Sequence, residues 1–370
     1  MGQTFHSLRV KSLVRETKQA VSVHFEVPEP LEETFSFKQG QYITLKLRDD
    51  GGEFRRSYSM SSSPLEDKLQ ITVKKVDDGR GSSLICDDIK EGDELEVSPP
   101  QGKFYTPLHP EQKKIYYMIA GGSGITPIMS LIKTTLEVEP LSTVVLFYGN
   151  RDVESIIFHE ELEQMAKRYE GQFFVEHALS HVSKPAGSLL GGLFKKSGPG
   201  LMDSHKGMLT PKLLQKLFNK HPFGNKSAEF FICGPGDMIK NTEEFLLNLG
   251  VDKKQVHREY FTTSDDSAPA SSGQEAPKGF VKAKVHYNGE AHDLEIPKSK
   301  TVLEGLIDQK LDPPYSCSSG ACSTCMAKMI SGSVKMDSCL ALDDDEIEEG
   351  YVLTCQARCE TDEIELTYDV

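Results

Sequence analysis

Over residues 1–108 apolar and polar side chains alternate in short runs broken by turn residues. Ala20-Val-Ser-Val-His-Phe-Glu-Val27, Gln41-Tyr-Ile-Thr-Leu-Lys-Leu47 and Leu69-Gln-Ile-Thr-Val-Lys-Lys-Val76 carry the period of two that belongs to half-buried strands. Regular strands with Gly-containing turns predict an antiparallel β-barrel for 1–108. From Lys113 the rhythm changes. Ile115-Tyr-Tyr-Met-Ile-Ala120, Thr143-Val-Val-Leu-Phe-Tyr148, Gln172-Phe-Phe-Val-Glu-His-Ala178 and Glu229-Phe-Phe-Ile-Cys233 are strand-length apolar runs with helical patterns between them. Strand–helix alternation of this kind predicts a doubly wound α/β domain with a parallel sheet over 109–262. Ser264 to Gly279 holds no aromatic and no β-branched residue and shows no period, so 263–279 is expected to be a flexible linker. A flexible run of about 16 residues has a root-mean-square span of roughly 20–25 Å, enough to let the 280–370 domain swing.

A chain of 370 residues has room for these domains, each with its own core. Its formal charge of −14 speaks against nucleic-acid and anionic-membrane partners. The N-terminus lacks a basic stretch followed by an apolar one, and no apolar run reaches membrane-spanning length, so a reducing cytoplasm is the expected location. His6 stands where a myristoylation signal after Gly2 would need Ser or Thr. The acidity is uneven: Phe280 to Val370 holds 18 Asp/Glu against 8 Lys/Arg. The densest run, Asp343-Asp-Asp-Glu-Ile-Glu-Glu349, reads as a solvated helix face or as a surface steered toward a basic partner.

The candidate chemistry is concentrated in Tyr315-Ser-Cys-Ser-Ser-Gly-Ala-Cys-Ser-Thr-Cys325 and in Cys355. Cys317, Cys322, Cys325 and Cys355 follow a C-x4-C-x2-C…C spacing, the thiolate pattern of a plant-type [2Fe–2S] cluster. Small residues between them let backbone N–H groups approach the sulfurs. A structural zinc site would want two C-x2-C pairs, and only Cys322/Cys325 forms one. A disulfide framework would need an oxidising compartment. Cys86, Cys339 and Cys359 read as ordinary thiols.

Two further segments suit a nucleotide. Gly121-Gly-Ser-Gly-Ile-Thr-Pro127 follows an apolar strand and opens a helical pattern, which lets a pyrophosphate approach N–H groups at the turn. Cys233-Gly-Pro-Gly236 ends another strand of the same domain. In the barrel, Arg56-Ser-Tyr-Ser59 offers a cation, a ring and hydroxyls, and Gly79-Arg-Gly-Ser-Ser83 offers further donors. Arg151 follows the second parallel strand, where a basic residue suits a 2′-phosphate and Asp152 beside it suits a free ribose hydroxyl; NADPH is the expected donor, with NADH possible.

Arg56-Ser-Tyr-Ser59, Gly122-Ser-Gly-Ile-Thr-Pro127, Cys233-Gly-Pro235 and Glu259-Tyr-Phe261, in this order, resemble the ferredoxin–NADP reductase superfamily. The cysteine-rich C-terminal domain narrows the resemblance to single-chain oxygenase reductases. Thr4-Phe-His-Ser-Leu8, Gly40-Gln41, Tyr148-Gly-Asn-Arg151 and Gly350-Tyr-Val-Leu353 are similar to the reductase components of phenylacetyl-CoA epoxidases. The resemblance implies FAD in the barrel, a pyridine nucleotide in 109–262 and an α+β, β-grasp-like ferredoxin domain in 280–370. It implies that Arg56, Tyr58, Ser59, Arg80, Ser82 and Phe261 meet FAD, and that Gly122, Gly124, Thr126, Arg151, Cys233 and Gly234 seat the nucleotide. Ser59, Thr126, Cys233 and Glu259 become the catalytic candidates, and the four cysteines the cluster ligands. Electrons would pass from NADPH through FAD and the cluster to a di-iron epoxidase in phenylacetate degradation. Another oxygenase, Rieske-type or otherwise, a bare electron carrier and a redox sensor are the alternatives. Ser318 and Ser323 depart from the Arg and Gly frequent in the family, and Lys184, Lys195 and Lys196 in a 183–206 surface loop could meet a nucleotide phosphate.

Overall fold

A computed structural model describes residues 4–181, 202–223, 227–261 and 279–369. Lys184, Lys195, Lys196 and residues 263–278 of the expected linker lie outside the described residues.

The first unit contains β1 (His6–Thr17), β2 (Ala20–Glu26), β3 (Tyr42–Asp49), β4 (Gly52–Ser59), β5 (Leu69–Lys74), the short helix α1 (Arg80–Ser83) and β6 (Glu94–Val97). All pairings are antiparallel, in the order β4-β3-β6-β1-β2-β5. Just past β4, Met60 bridges Ile71 and the Ser61 N–H donates to the Gln70 carbonyl at 2.8 Å, so the two outer strands meet and the sheet curls on itself. Leu8, Val10, Val23, Phe25, Ile43, Leu45 and Val97 fill the interior. The period of two puts them on one face, and a one-residue slip would turn the whole set outward.

The second unit contains β7 (Ile115–Gly121), α2 (Ile125–Val138), β8 (Thr143–Asn150), α3 (His159–Arg168), β9 (Phe173–Leu179), β10 (Met202–Lys206), α4 (Pro211–Lys220), β11 (Ala228–Gly234), α5 (Gly236–Asn248) and β12 (Val256–Tyr260). The sheet is parallel throughout, in the order β10-β9-β8-β7-β11-β12. Every residue of β7 is buried, because helices cover both faces: α2 and α3 over Met118, Leu146 and Val175, α4 and α5 over Tyr117, Phe147 and Phe230. Strand order reverses at β7, and the glycine loops after β7 and β11 stand side by side there. That is where open parallel sheets bind ligands. One expectation needs correcting. Met202–Lys206, read as the end of a surface loop, is an edge strand paired with β9. Asp203 and Ser204 have weak strand preference, so tertiary pairing sets the conformation, helped by His205 Nε2 at 2.7 Å from the Glu176 carboxylate.

The third unit contains β13 (Phe280–Tyr287), β14 (Glu290–Pro297), α6 (Val302–Asp308), β15 (Met326–Ser331), β16 (Val334–Met336), α7 (Asp344–Glu348), β17 (Tyr351–Leu353), β18 (Ala357–Cys359) and β19 (Glu363–Thr367). Its mixed sheet runs β14-β13-β19-β15-β17, with β13 and β19 parallel, and α6 packs Val302 and Leu306 onto it. This is the α+β arrangement expected of a β-grasp-like domain.

The cysteine loop of the third unit is docked on the barrel. Arg55, only 3% exposed, donates to both carboxylate oxygens of Asp312 at 2.7 and 2.9 Å and lies 4.3 Å from the Tyr315 ring centroid. Three carboxylates of the acidic run pair with cations of the first two units, while Asp345, Glu348 and Glu349 are exposed. Asp343 accepts from Arg258 at 2.6 Å, Glu346 from Lys103 at 2.8 Å, and Asp344 pairs with Lys253. Between barrel and parallel sheet, Lys133 bridges Glu66 and Glu161, and Ser63 meets Thr134 at 2.9 Å. Among the described residues no helix is long and apolar enough to cross a membrane.

Candidate active site at the three-unit junction

A cavity of about 580 Å³ lies where the three units meet. Its wall brings together Arg56, Tyr58 and Ser59 of β4, Arg80 and Ser82 around α1, Thr126, Glu259, Phe261, and the ligand candidates Cys317 and Cys322. Gly122, Gly124, Arg151, Cys233, Gly234, Cys325 and Cys355 are not among its lining residues.

The barrel side is built by close approach of α1 to β4. A Cβ on Gly81 would lie 2.9 Å from the Tyr58 hydroxyl and 3.0 Å from Arg56 Cγ, so only glycine lets the loop come this near. Arg56 donates to the Arg55 carbonyl at 2.8 Å. The Arg80 guanidinium is engaged by Asp49 and the Gly52 carbonyl, over the Phe54 ring. The Ser82 hydroxyl accepts from the Val76 N–H and donates to the Gly79 carbonyl, both at 3.1 Å, which shapes the loop.

On the sheet side, Thr126 donates to the Ser123 carbonyl at 3.1 Å at the start of α2. A Cβ on Gly124 would lie 2.1 Å from the Cys233 carbonyl oxygen, so the glycine loop and the end of β11 touch backbone to backbone. The Cys233 thiol has no exposed surface; it sits in the core beside Glu259, its register partner on β12. Burial, and then the Glu259 carboxylate, push that thiol well above its ordinary pKa. Ser59 donates to Glu259 at 3.1 Å. Burial pushes the Glu259 carboxyl up to about 8, against which the Ser59 hydrogen bond is the smaller influence. At neutral pH this carboxyl therefore keeps its proton.

Lys74 was not singled out from sequence, where it reads as a polar position of an ordinary strand. It lines the cavity at the end of β5, and its Nζ would be 3.6 Å from a Cβ on Gly122. Burial lowers its pKa, and the Arg151 charge lowers it further while that of Asp152 opposes the shift. Asp152 also accepts the Ser155 N–H at 2.9 Å in a capping box.

The four cysteines form two pairs. Cys317 and Cys322 are close enough to shift each other's thiol, as are Cys325 and Cys355. The Cys317 sulfur also accepts the Ser319 N–H at 3.4 Å, and Cys355 accepts from the Gly320 backbone. Among the described residues no three His, Cys, Asp or Glu side chains converge as they would around one ion. Two thiolate pairs joined by a tight loop fit a dinuclear cluster, one pair to each iron, better than a mononuclear zinc site.

Comparison with known proteins agrees with this layout. Residues 7–105 match the oxidoreductase FAD-binding domain, 118–244 the oxidoreductase NAD-binding domain and 285–360 the 2Fe-2S iron-sulfur cluster binding domain. The ferredoxin reductase component of 3-ketosteroid-9-alpha-monooxygenase from Rhodococcus rhodochrous is 34% identical over 98% of this chain and 96% of that protein. A subunit of 1,2-phenylacetyl-CoA epoxidase from Escherichia coli is 34% identical over 99% of this chain and 98% of its own. The fold of phthalate dioxygenase reductase matches with a TM-score of 0.58 at 24% identity, covering 98% of each chain. With FAD-binding, NAD-binding and [2Fe–2S] domains in one polypeptide and relatives similar from end to end, the chain belongs to the ferredoxin-reductase-type family of oxygenase reductases.

Proposed function

We propose that the chain draws electrons from NADPH and delivers them to the di-iron oxygenase of a phenylacetyl-CoA epoxidase. The observation that carries the electron path is the shared cavity: the β4 residues, Thr126, Glu259 and two cluster-ligand cysteines line one space. Bound there, FAD would supply a two-electron acceptor for hydride, and the cluster a one-electron carrier. Arg56 is positioned to neutralise the flavin pyrophosphate, and the Tyr58 ring to cover the flavin. Thr126 and the backbone at Gly122, Gly124 and Gly234 orient the nicotinamide end, with Cys233 packing from behind. Glu259 holds a proton at the cavity wall, within reach of the Ser59 hydroxyl, and so supplies that hydroxyl. Cys317 and Cys322, which line the cavity, would hold the cluster together with Cys325 and Cys355.

Arg151, just after β8, favours NADPH, because a basic residue at that strand end suits the 2′-phosphate, while the neighbouring Asp152 carboxylate accepts the Ser155 N–H in its cap. The epoxidase assignment is supported by the full-length similarity to the Escherichia coli epoxidase component. A second reading, service to a 3-ketosteroid-9-alpha-monooxygenase, has a relative of equal identity behind it. Reconstitution separates them. The purified holoprotein is mixed with each oxygenase, and NADPH consumption coupled to product is measured. Coupled turnover with the steroid oxygenase alone would overturn the epoxidase assignment.

A further inference from the structure

The cysteine loop meets the barrel through paired hydroxyls. Tyr42 reaches across to Thr324 at 2.9 Å, and Ser57 donates to Ser316 at 2.7 Å. Ser316 precedes Cys317, and Thr324 lies between Cys322 and Cys325, so both contacts grip the ligand loop itself. All but Ser57 are buried. Tyr42 is fixed on its own side. Its N–H and carbonyl exchange 2.8 Å hydrogen bonds with Gln101, and it stands opposite Ser59 in the β3–β4 register. A Cβ on Gly102 would lie 3.0 Å from its ring carbons, so the phenol has one direction in which to point.

We propose that Tyr42 is a positioning residue that sets the register between the flavin cavity and the cluster loop, through its hydroxyl contact with Thr324. The physical reason lies in the chemistry of the seam. Apolar surfaces slide over one another at little cost, whereas a buried hydroxyl displaced from its partner loses a hydrogen bond that water does not replace. Paired hydroxyls therefore admit one register, and separation into water returns each group to solvent. Such a seam is specific without being adhesive, which suits a domain that must dock repeatedly in one pose. Tyr42 changes neither bonding nor redox state; it governs how often the loop and the cavity wall are aligned.

This rests on reading the cavity as the flavin site, but the principal test does not. Amide hydrogen exchange over residues 316–324 is measured in the full-length holoprotein for wild type, Tyr42→Phe, Thr324→Val and the double variant. Phe keeps the ring against Gly102, and Val keeps the shape of Thr. Each single change is expected to speed exchange about fivefold, the worth of one net hydrogen bond. The Tyr42–Thr324 contact is lost in every variant, so the two single effects should be less than multiplicative in the double variant. Exchange unchanged in Tyr42→Phe, or independent effects that multiply, would overturn the proposal. A second readout is the ratio of cluster reduction to flavin reduction in one anaerobic stopped-flow trace, which should fall in Tyr42→Phe. Failure of NADPH to reduce the flavin in wild type would instead remove the cavity reading and leave the exchange result standing.

Discussion

Replacing Glu259 with Gln isolates the proton held at the cavity. The groups acting on this carboxyl are its burial and the Ser59 hydroxyl, with no cation among them, and its pKa rises from 4.5 to about 8. About nine in ten molecules then carry the proton at pH 7, and about one in ten at pH 9. If Ser59 is supplied from Glu259, turnover with NADPH and a one-electron dye should fall about tenfold between those pH values. Bound flavin and nicotinamide add desolvation, which moves the inflection upward and not downward. Glu259→Gln keeps the shape and the contact with Ser59 but holds no exchangeable acid proton. Its turnover should be lower by about 10²-fold at pH 7 and flat to pH 9. The assay is a pH series of kcat with flavin occupancy checked by absorbance at each point. An inflection that persists unchanged in Glu259→Gln would refute the assignment, since another group would then be titrating.

Other outcomes follow from the same geometry. Cys322→Ala should remove the iron–sulfur absorbance and paramagnetic signal while NADPH still bleaches the flavin; loss of both in a folded variant would place the centres in the wrong order. Arg151→Ala should raise KM for NADPH about tenfold and leave that for NADH nearly unchanged, and equal changes for both would remove Arg151 from the 2′-phosphate. Glu176 accepts from His205 at 2.7 Å, His221 at 2.6 Å and Lys220; these contacts outweigh its burial, the largest single influence, and hold its carboxyl down at about 2. A depressed carboxylate stabilises the fold above its unfolded value of 4.5 and loses that contribution as pH falls toward about 2. Glu176→Gln should lower unfolding stability at pH 7 by ~3 kcal/mol and flatten acid denaturation in that window, read by urea titration.

What the sequence revealed and what it hid divide along physical lines. Strand periodicity in Ala20–Val27 and Leu69–Val76, and the apolar run Ile115–Ala120, translate directly into elements because burial of one face or of both is written in the residue types. The cysteine spacing was legible for the same reason: loop length limits which thiols can meet. Lys74 was hidden because its significance depends on Gly122, far along the chain and on another domain. Met202–Lys206 was hidden because an edge strand of polar residues is specified by its neighbour and not by its own composition. Asp343, Asp344 and Glu346 looked available to a partner because nothing local shows that Arg258, Lys253 and Lys103 face them.

Those ion pairs bear on how the molecule can work. Each unit has its own apolar interior: one in the barrel, one on each face of the parallel sheet, and two in the third unit. The contacts joining the third unit to the rest are of another kind, hydroxyls, one buried arginine and ion pairs whose acidic partners are mostly exposed. Exposed pairs contribute little and are screened by salt. Docking is therefore weak compared with folding, and a change at the seam can alter electron transfer without unfolding a domain.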